Sequence, residues 1–241
     1  MNTFNQSAWA QKDFSENYLE KADIYILERR KMIGILSSLF SYFFNNKTDI
    51  RVLDLGCGDG VLTGELLTKD SSIIATLVDG SQSMLQKAQE RFKALRKLNF
   101  VNASFQDILS DKTSLGLYDF CISSLAIHHL ELEEKAALFK YITRHLNNGG
   151  RFVNIDVVLP PSEELEGWYF AVWKEWMHYM LNQLNMKNEL PEDIIKRYKD
   201  PSSMNKPDTL EVQLDALKEA GLLDVDCYYK NGIFAVFGGK K

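Results

Sequence analysis

Between residues 50 and 156, short apolar runs alternate with longer stretches in which apolar side chains recur every three or four positions. Runs apolar throughout suit strands buried on both faces, and the intervening period suits helices laid over them. The pattern predicts strands over 51–55, 73–78, 99–103, 118–123 and 151–157. Met84, Leu85, Ala88, Phe92 and Leu95 form one helical stripe, with Ser83 and Gln86 spaced as a capping box. Phe139, Ile142 and Leu146 form a second stripe. Glu131, Glu133 and Glu134 open it, where a helix N-terminus favours anions, and Asn147, Asn148, Gly149 and Gly150 close it.

The flanks behave differently. Residues 1–48 read as helical, and residues 160–206 as an aromatic-rich insertion broken by Pro160, Pro161, Pro191 and Pro201. After Pro207 a helix returns, with Asp208 and Glu211 as its capping box and Gly221 as its stop. Two β-prone runs, 223–229 and 233–238, follow around Lys230, Asn231 and Gly232, and Asn-Gly is a strong hairpin signal. The expected fold is α/β: a mostly parallel sheet with an antiparallel C-terminal edge hairpin and helices on both faces. Residues 49–159 and 207–241 would form the α/β core, with 1–48 an N-terminal helical segment and 160–206 a helical, aromatic-rich insertion.

With 241 residues, 45% of them hydrophobic and 25% charged, the chain has material for one sizeable core. A net charge of -5 disfavours broad attraction to nucleic acid or anionic lipid and suits a small or cationic partner. Cys57, Cys121 and Cys227 are odd in number and scattered, which gives neither a disulfide framework nor a metal-ligand spacing and points to a reducing cytoplasm. The longest apolar run, 33–44, is interrupted by Gly34, Ser37, Ser38 and Ser41 and is too short to span a bilayer. Asp13, Glu16, Glu20 and Asp23 precede it, which is not a signal-peptide pattern, so no membrane association is expected.

The most informative stretch is VLDLGCGDGVLT, residues 52–63. Gly56, Gly58 and Gly60 at a strand-to-helix turn permit positive φ and let a ligand approach without meeting a Cβ. A dinucleotide fingerprint would place its third glycine where Val61 stands, and a pyrophosphate would meet the carboxylate of Asp54 unfavourably. An NAD(P)-dependent oxidoreductase is therefore the weaker alternative. Asp79, with Gly80 beside it, ends the second strand where a carboxylate can accept both hydroxyls of a ribose.

Asp-x-Gly-x-Gly-x-Gly followed by TLVDGSQSML resembles the class I S-adenosylmethionine-dependent methyltransferases, from residue 51 to 157 and, through the hairpin, to the end. The resemblance implies S-adenosylmethionine as cofactor. Gly56, Cys57 and Gly58 would approach its methionine part, Asp54 would arrange the loop and its water or ammonium contacts, Asp79 would hold the ribose, and Met84 would pack on the adenine. FQDIL resembles the acidic motif after the third strand, which would set Asp107 on the adenine amino group and Ile108 along the ring. YDFCISSLAIHHL resembles the fourth-strand motif, which would run Ser123, Ser124 and Leu125 beside the sulfonium. HLNNGGRFV stands where many members have Leu-x-Pro-Gly-Gly and lacks the proline. DFSENYLEKADIYILERRKM resembles the helices that close over the cofactor, with Tyr18, Tyr25 and Arg29 placed to meet its carboxylate or the substrate. Arg29 is equally suited to a surface pair with Glu20 or Glu28, and Asp107 to capping a turn.

Methyl transfer from a sulfonium is an in-line displacement that chiefly demands alignment and exclusion of water. Where a base is needed, His128 and His129 follow the fourth strand on the ligand-binding side, and Asp156 ends the fifth. Each has a structural alternative, a packed histidine or a strand-end acid. Tyr169, Trp173, Trp176 and Met180 share a helical stripe that either packs on the sheet, walls an acceptor pocket or buries in a homodimer. The expected function is methyl transfer to a small-molecule acceptor, with a non-catalytic cofactor-binding protein and a cofactor-modifying enzyme as alternatives.

Overall fold

The computed structural model describes residues 12–110, 112–113, 115–186 and 189–241, and the side chains of 12–18 lie outside that description. Helices α1 (Lys12–Tyr25) and α2 (Arg29–Phe44) precede β1 (Arg51–Leu55), α3 (Val61–Lys69), β2 (Ile74–Asp79), α4 (Gln82–Arg91), β3 (Leu98–Asn102) and α5 (Phe105–Leu109). There follow β4 (Tyr118–Ser124), α6 (Leu132–His145), β5 (Leu146–Val157), α7 (Glu163–Gln183), α8 (Pro191–Lys199), α9 (Leu210–Glu219), β6 (Leu223–Asn231) and β7 (Phe234–Lys240). They form a 7-stranded sheet in the order β3-β2-β1-β4-β5-β7-β6, parallel from β1 to β5, with β7 antiparallel to both neighbours. This is the mostly parallel sheet with an antiparallel C-terminal hairpin that the sequence predicts.

Successive residues of the central strands feed opposite cores. Val52, Phe120 and Val236 pack under α2, α3, α4 and α7, and Leu53, Cys121 and Phe237 under α5, α6 and α9. Phe120 meets Phe40 and Phe44 at ring separations of 5.6 and 5.5 Å. Each such fully buried side chain contributes about 1.5–3 kcal/mol, which is why these strands read as continuous apolar runs. Leu55 lies opposite Val78 on one side and Ser123 on the other, so β1, β2 and β4 end level. Strand order reverses between β1 and β4, and a crevice opens outside the strand ends there.

Several local expectations are corrected. The cap of α4 is Ser81, whose hydroxyl accepts from Met84 N, not Ser83, because Asp79 fixes the Ser81 amide. Thr209 caps α9 in place of Asp208, whose carboxylate serves Lys135 instead. Asn147, Asn148, Gly149 and Gly150 lie inside β5, where the pairing with β4 shifts register, and not in a helix stop. The buried stripe of α7 is Tyr169, Trp173, Met177 and Leu181, at every fourth residue, with Trp176 only partly buried. Trp173 Nε1 donates to Tyr25 O at 2.7 Å and Trp176 Nε1 to Ile24 O at 3.1 Å. These are carbonyls of the last turn of α1, which have no acceptor role left inside the helix. The insertion is thus an anchor for the N-terminal helices, while Trp168 at 60% exposure and Tyr179 at 57% face outward.

Candidate functional site

A cavity of about 640 Å³ occupies the crevice, lined from α1, α2 and the link between them by Leu19, Arg29 and Ile26. The glycine loop supplies Gly56, Cys57 and Gly58, the end of β2 Asp79, Gly80 and Ser81, and α4 contributes Met84. Ser124, Leu125, Ala126 and His129 line it from the end of β4.

The loop is built for close approach. Gly56, Gly58 and Gly60 have φ of 66, 55 and 80°, in the left-handed region that favours glycine. Gly56 N and Cys57 N donate to Val78 O at 2.8 and 3.0 Å, which ties the loop to β2. A Cβ on Gly56 would stand 2.4 Å from Ala126 Cβ, whereas one on Gly58 would meet nothing within 4 Å. Gly56→Ala therefore wedges the loop away from the β4 end. It is expected to cost about 1–3 kcal/mol in thermal stability, from strain and overpacking together. A melting temperature equal to the parent's would show that the loop yields without cost.

Asp79 is the hinge of the site. Its Oδ2 accepts from Gly58 N at 2.8 Å and its Oδ1 from Ser81 N at 2.7 Å, so one carboxylate joins the loop to the cap of α4. Burial raises its pKa, against the pull of those two amides. Asp54 is buried in the strand below. Its Oδ2 accepts from Thr63 Oγ1 at 2.6 Å, while Oδ1 is buried without a hydrogen-bond partner. Burial pushes its pKa up to about 7, with Asp79 and Asp59 adding repulsion. The same burial, reinforced by Asp54, Asp79 and Asp59, holds the Cys57 thiol protonated, consistent with a small lining residue and not a nucleophile.

An orphaned carboxylate oxygen beneath a loop open to backbone approach fits the cationic methionine end of S-adenosylmethionine, and a second carboxylate held by two amides fits its vicinal ribose hydroxyls. A pyrophosphate would meet acid at both places.

Other expected site residues are placed differently. Asp107 does not line the cavity; it stands at the start of α5 in a capping box, its Oδ2 accepting from Ser104 N at 3.1 Å and Ser104 Oγ at 2.7 Å. Ile108 is buried in the core behind it. The residues that reach the cavity here are Ala103, Ser104, Phe105 and Gln106, directly after β3. The signal that finds them is position at the carboxyl end of a parallel strand, not acidity. Tyr25 points its hydroxyl away, donating to Glu189 at 2.8 Å, while Arg29 lines the cavity and pairs with Asp23 at 2.8 Å. Tyr18 lies outside the described side chains. No residue of α7 lines the cavity. Met204 and Lys206 do, and sequence reasoning missed both.

His128, His129 and Asp156 come together. Asp156 is fully buried, and its carboxylate accepts from His128 Nδ1 at 2.5 Å, His128 N at 3.1 Å and Val157 N at 2.9 Å. His128 stands behind His129, with ring centroids 4.1 Å apart, and only His129 lines the cavity. His129 Nδ1 faces Met204 O at 3.3 Å, and since a carbonyl can only accept, Nδ1 carries the proton and Nε2 the lone pair. Burial and the nearby His128, Lys135 and Lys206 push its pKa well below the ordinary value, so the ring is neutral at pH 7. His129 ties the β4 end to residue 204. Among the described residues there is no cluster suited to a metal, and no helix is long and apolar enough to cross a membrane.

Residues 52–150 match the methyltransferase domain family. The chain is 23% identical over 237 residues to a carboxy-S-adenosyl-L-methionine synthase of Staphylococcus epidermidis, covering 94% of each chain. It is 22% identical over 193 residues to the protein of that name from Nautilia profundicola, covering 78% of this chain and 75% of the relative. Among solved structures, an O-methyltransferase family protein from Burkholderia thailandensis superposes with a TM-score of 0.67 at 14% identity, over 98% of this chain and 62% of that one. A switch-point cavity whose acids suit a sulfonium nucleoside better than a dinucleotide lies within residues that match a methyltransferase domain, in a chain with these relatives, and together they support a class I S-adenosylmethionine-dependent methyltransferase.

Proposed function

We propose that this enzyme moves a methyl group from S-adenosylmethionine to a small-molecule acceptor by in-line displacement. The cavity is the observation that carries the proposal: at about 640 Å³ it falls in the range of small-molecule sites, and Asp54, Asp59, Asp79, Glu131, Glu133 and Glu134 give it a lining hostile to a polyanion. When bound, S-adenosylmethionine supplies a methyl made electrophilic by its sulfonium. Asp79 would accept from the ribose hydroxyls, Asp54 from an ammonium or a water, and Arg29 would face a carboxylate. Met84, Ser104 and Phe105 would enclose the base, and Ser124 and Leu125 the sulfonium side. Leu125, at φ 52°, is held in the left-handed region by its amide on Ile155 O at 2.8 Å, a fixed, strained position of the kind found at working sites. His128, His129 and Asp156 would act by positioning, since His128 is turned away from the cavity and His129 Nε2 is buried.

Calorimetry with S-adenosylhomocysteine beside NADH tests this directly. Micromolar binding of the nucleoside alone, followed by its release from S-adenosylmethionine in the presence of small acceptors, is the expected result. Binding of NADH, or of neither ligand by folded protein, would overturn it.

A second function is favoured by one specific observation, the match over 94% of each chain to a protein named carboxy-S-adenosyl-L-methionine synthase. Here the chain would build a carboxylated cofactor and not spend a methyl. Mass spectrometry of the nucleoside that co-purifies separates the two, because only the second yields one heavier by a carboxyl group.

A further inference from the structure

The network around His128 and His129 continues into a group that methyl transfer does not itself employ. Lys135, in the first turn of α6, is 0% exposed. It lies on the apolar stripe of that helix, one and two turns before Leu138, Phe139 and Ile142, where a leucine or methionine would fill the space without a charge. A buried ammonium costs several kcal/mol unless it is paired and hydrogen-bonded. Its partners are Lys206 O and the carboxylate of Asp208, both on the short strap of residues 204–208, of which Met204 and Lys206 line the cavity.

Three attachments, all from the segment after β4, hold that strap. His129 Nδ1 donates to Met204 O, Lys206 N donates to His128 O at 2.7 Å, and Lys135 Nζ donates to Lys206 O and Asp208. Beyond them, Asp208 O accepts from Leu159 N at 2.9 Å, which anchors the far end of the strap to the end of β5. Met204 and Lys206 line the cavity with His129, and Lys206 Nζ pairs with Glu131, another lining residue, at 2.7 Å. No regular secondary structure holds residues 204–208, so their place is set by these contacts.

We propose that Lys135 is a positioning residue, whose buried ammonium fixes the strap 204–208 as the acceptor-side wall of the cavity and thereby sets the room left for the acceptor. The acceptor-side assignment rests on the methyl-transfer function proposed above; the clamp itself does not. Met204, His129 and Lys206 then form the specificity-determining surface, and a change at position 135 alters them without touching the cofactor.

The test needs no acceptor. Amide hydrogen exchange over residues 200–210 and the NMR signature of the His129 ring are followed in the parent, Lys135→Met and Asp208→Asn, each free and with S-adenosylhomocysteine. Asp208→Asn leaves the core of α6 unchanged and reports even where Lys135→Met fails to fold. The clamp predicts exchange at the Lys206 amide at least tenfold faster, a His129 ring no longer held in the Nδ1–H tautomer, unchanged exchange in β1 and β4, and affinity for S-adenosylhomocysteine within twofold of the parent. Parental exchange at Lys206, or acceleration spread evenly over the sheet as for a merely stabilising residue, would overturn it. A parent that binds no S-adenosylhomocysteine would instead sink the methyl-transfer proposal, and the exchange of the free proteins would still decide the clamp.

Discussion

Asp79→Ala is expected to weaken S-adenosylhomocysteine binding on the order of 10²–10³-fold, the largest effect of any single change in the lining. Two losses combine. Hydrogen bonds to a charged group contribute about 1.5–3 kcal/mol each, and the vicinal hydroxyls would lose both of theirs. The same carboxylate holds Gly58 N and Ser81 N, so alanine also frees the glycine loop from the cap of α4. Asp79→Asn keeps the shape but turns an N–H donor toward one of those amides, and should fall between parent and alanine. Titration calorimetry on folded samples is the measurement; a dissociation constant within tenfold of the parent would mean that the ribose is held elsewhere.

For Asp54→Asn the expected effects on stability and on binding have opposite signs. Burial lifts the folded-state pKa of Asp54 to about 7, above the roughly 3.9 of an unfolded aspartate. Between those values the folded protein binds the extra proton. The stability this group contributes is therefore full below about pH 4 and lost as pH rises through about 7, a difference on the order of 4 kcal/mol. Asparagine has no charge to bury, so at pH 8 the ligand-free variant should melt above the parent, and its stability should change less between pH 5 and 8. Affinity moves the other way. Only the ionised carboxylate attracts a cation, so the parent should bind S-adenosylmethionine more tightly as pH rises toward 7, and the variant should bind weakly without that trend. Parallel pH profiles for the two proteins would show that Asp54 stays ionised in the free cavity.

The glycine loop, Asp79 and the terminal hairpin were legible because each is a local requirement on one residue type: positive φ, a carboxylate at a strand end, an Asn-Gly turn. Val52, Leu53, Phe120 and Cys121 announced buried central strands because both faces of the sheet are covered. Asp107 misled for a physical reason, since an acid three residues after a serine satisfies a helix cap as well as a ligand. The aromatics of α7 left packing on the sheet, a pocket wall and a dimer face open; Trp173 does pack on Phe234 of β7, while the carbonyls of Ile24 and Tyr25 that take the two indole N–H groups are about 150 residues away in sequence and follow from no local pattern. Lys135 did leave a trace: a lysine on the apolar stripe of an otherwise regular amphipathic helix. What it serves is visible only once residues 204–208 are folded over it.

The place of β7 has a bearing on how the chain is made. This strand follows all the others in sequence, yet it lies between β5 and β6 and pairs along its length with both. During synthesis, β1 to β5 can assemble while the flank of β5 still waits for its neighbour, with Val153, Ile155 and Val157 already apolar and the main-chain groups of the β7-facing edge unmatched. A nascent chain at this stage presents a sticky border to other nascent chains until residue 240 has left the ribosome. The interval before β7 emerges, more than the ordering of the glycine loop, is thus when this sheet is most exposed to misassembly.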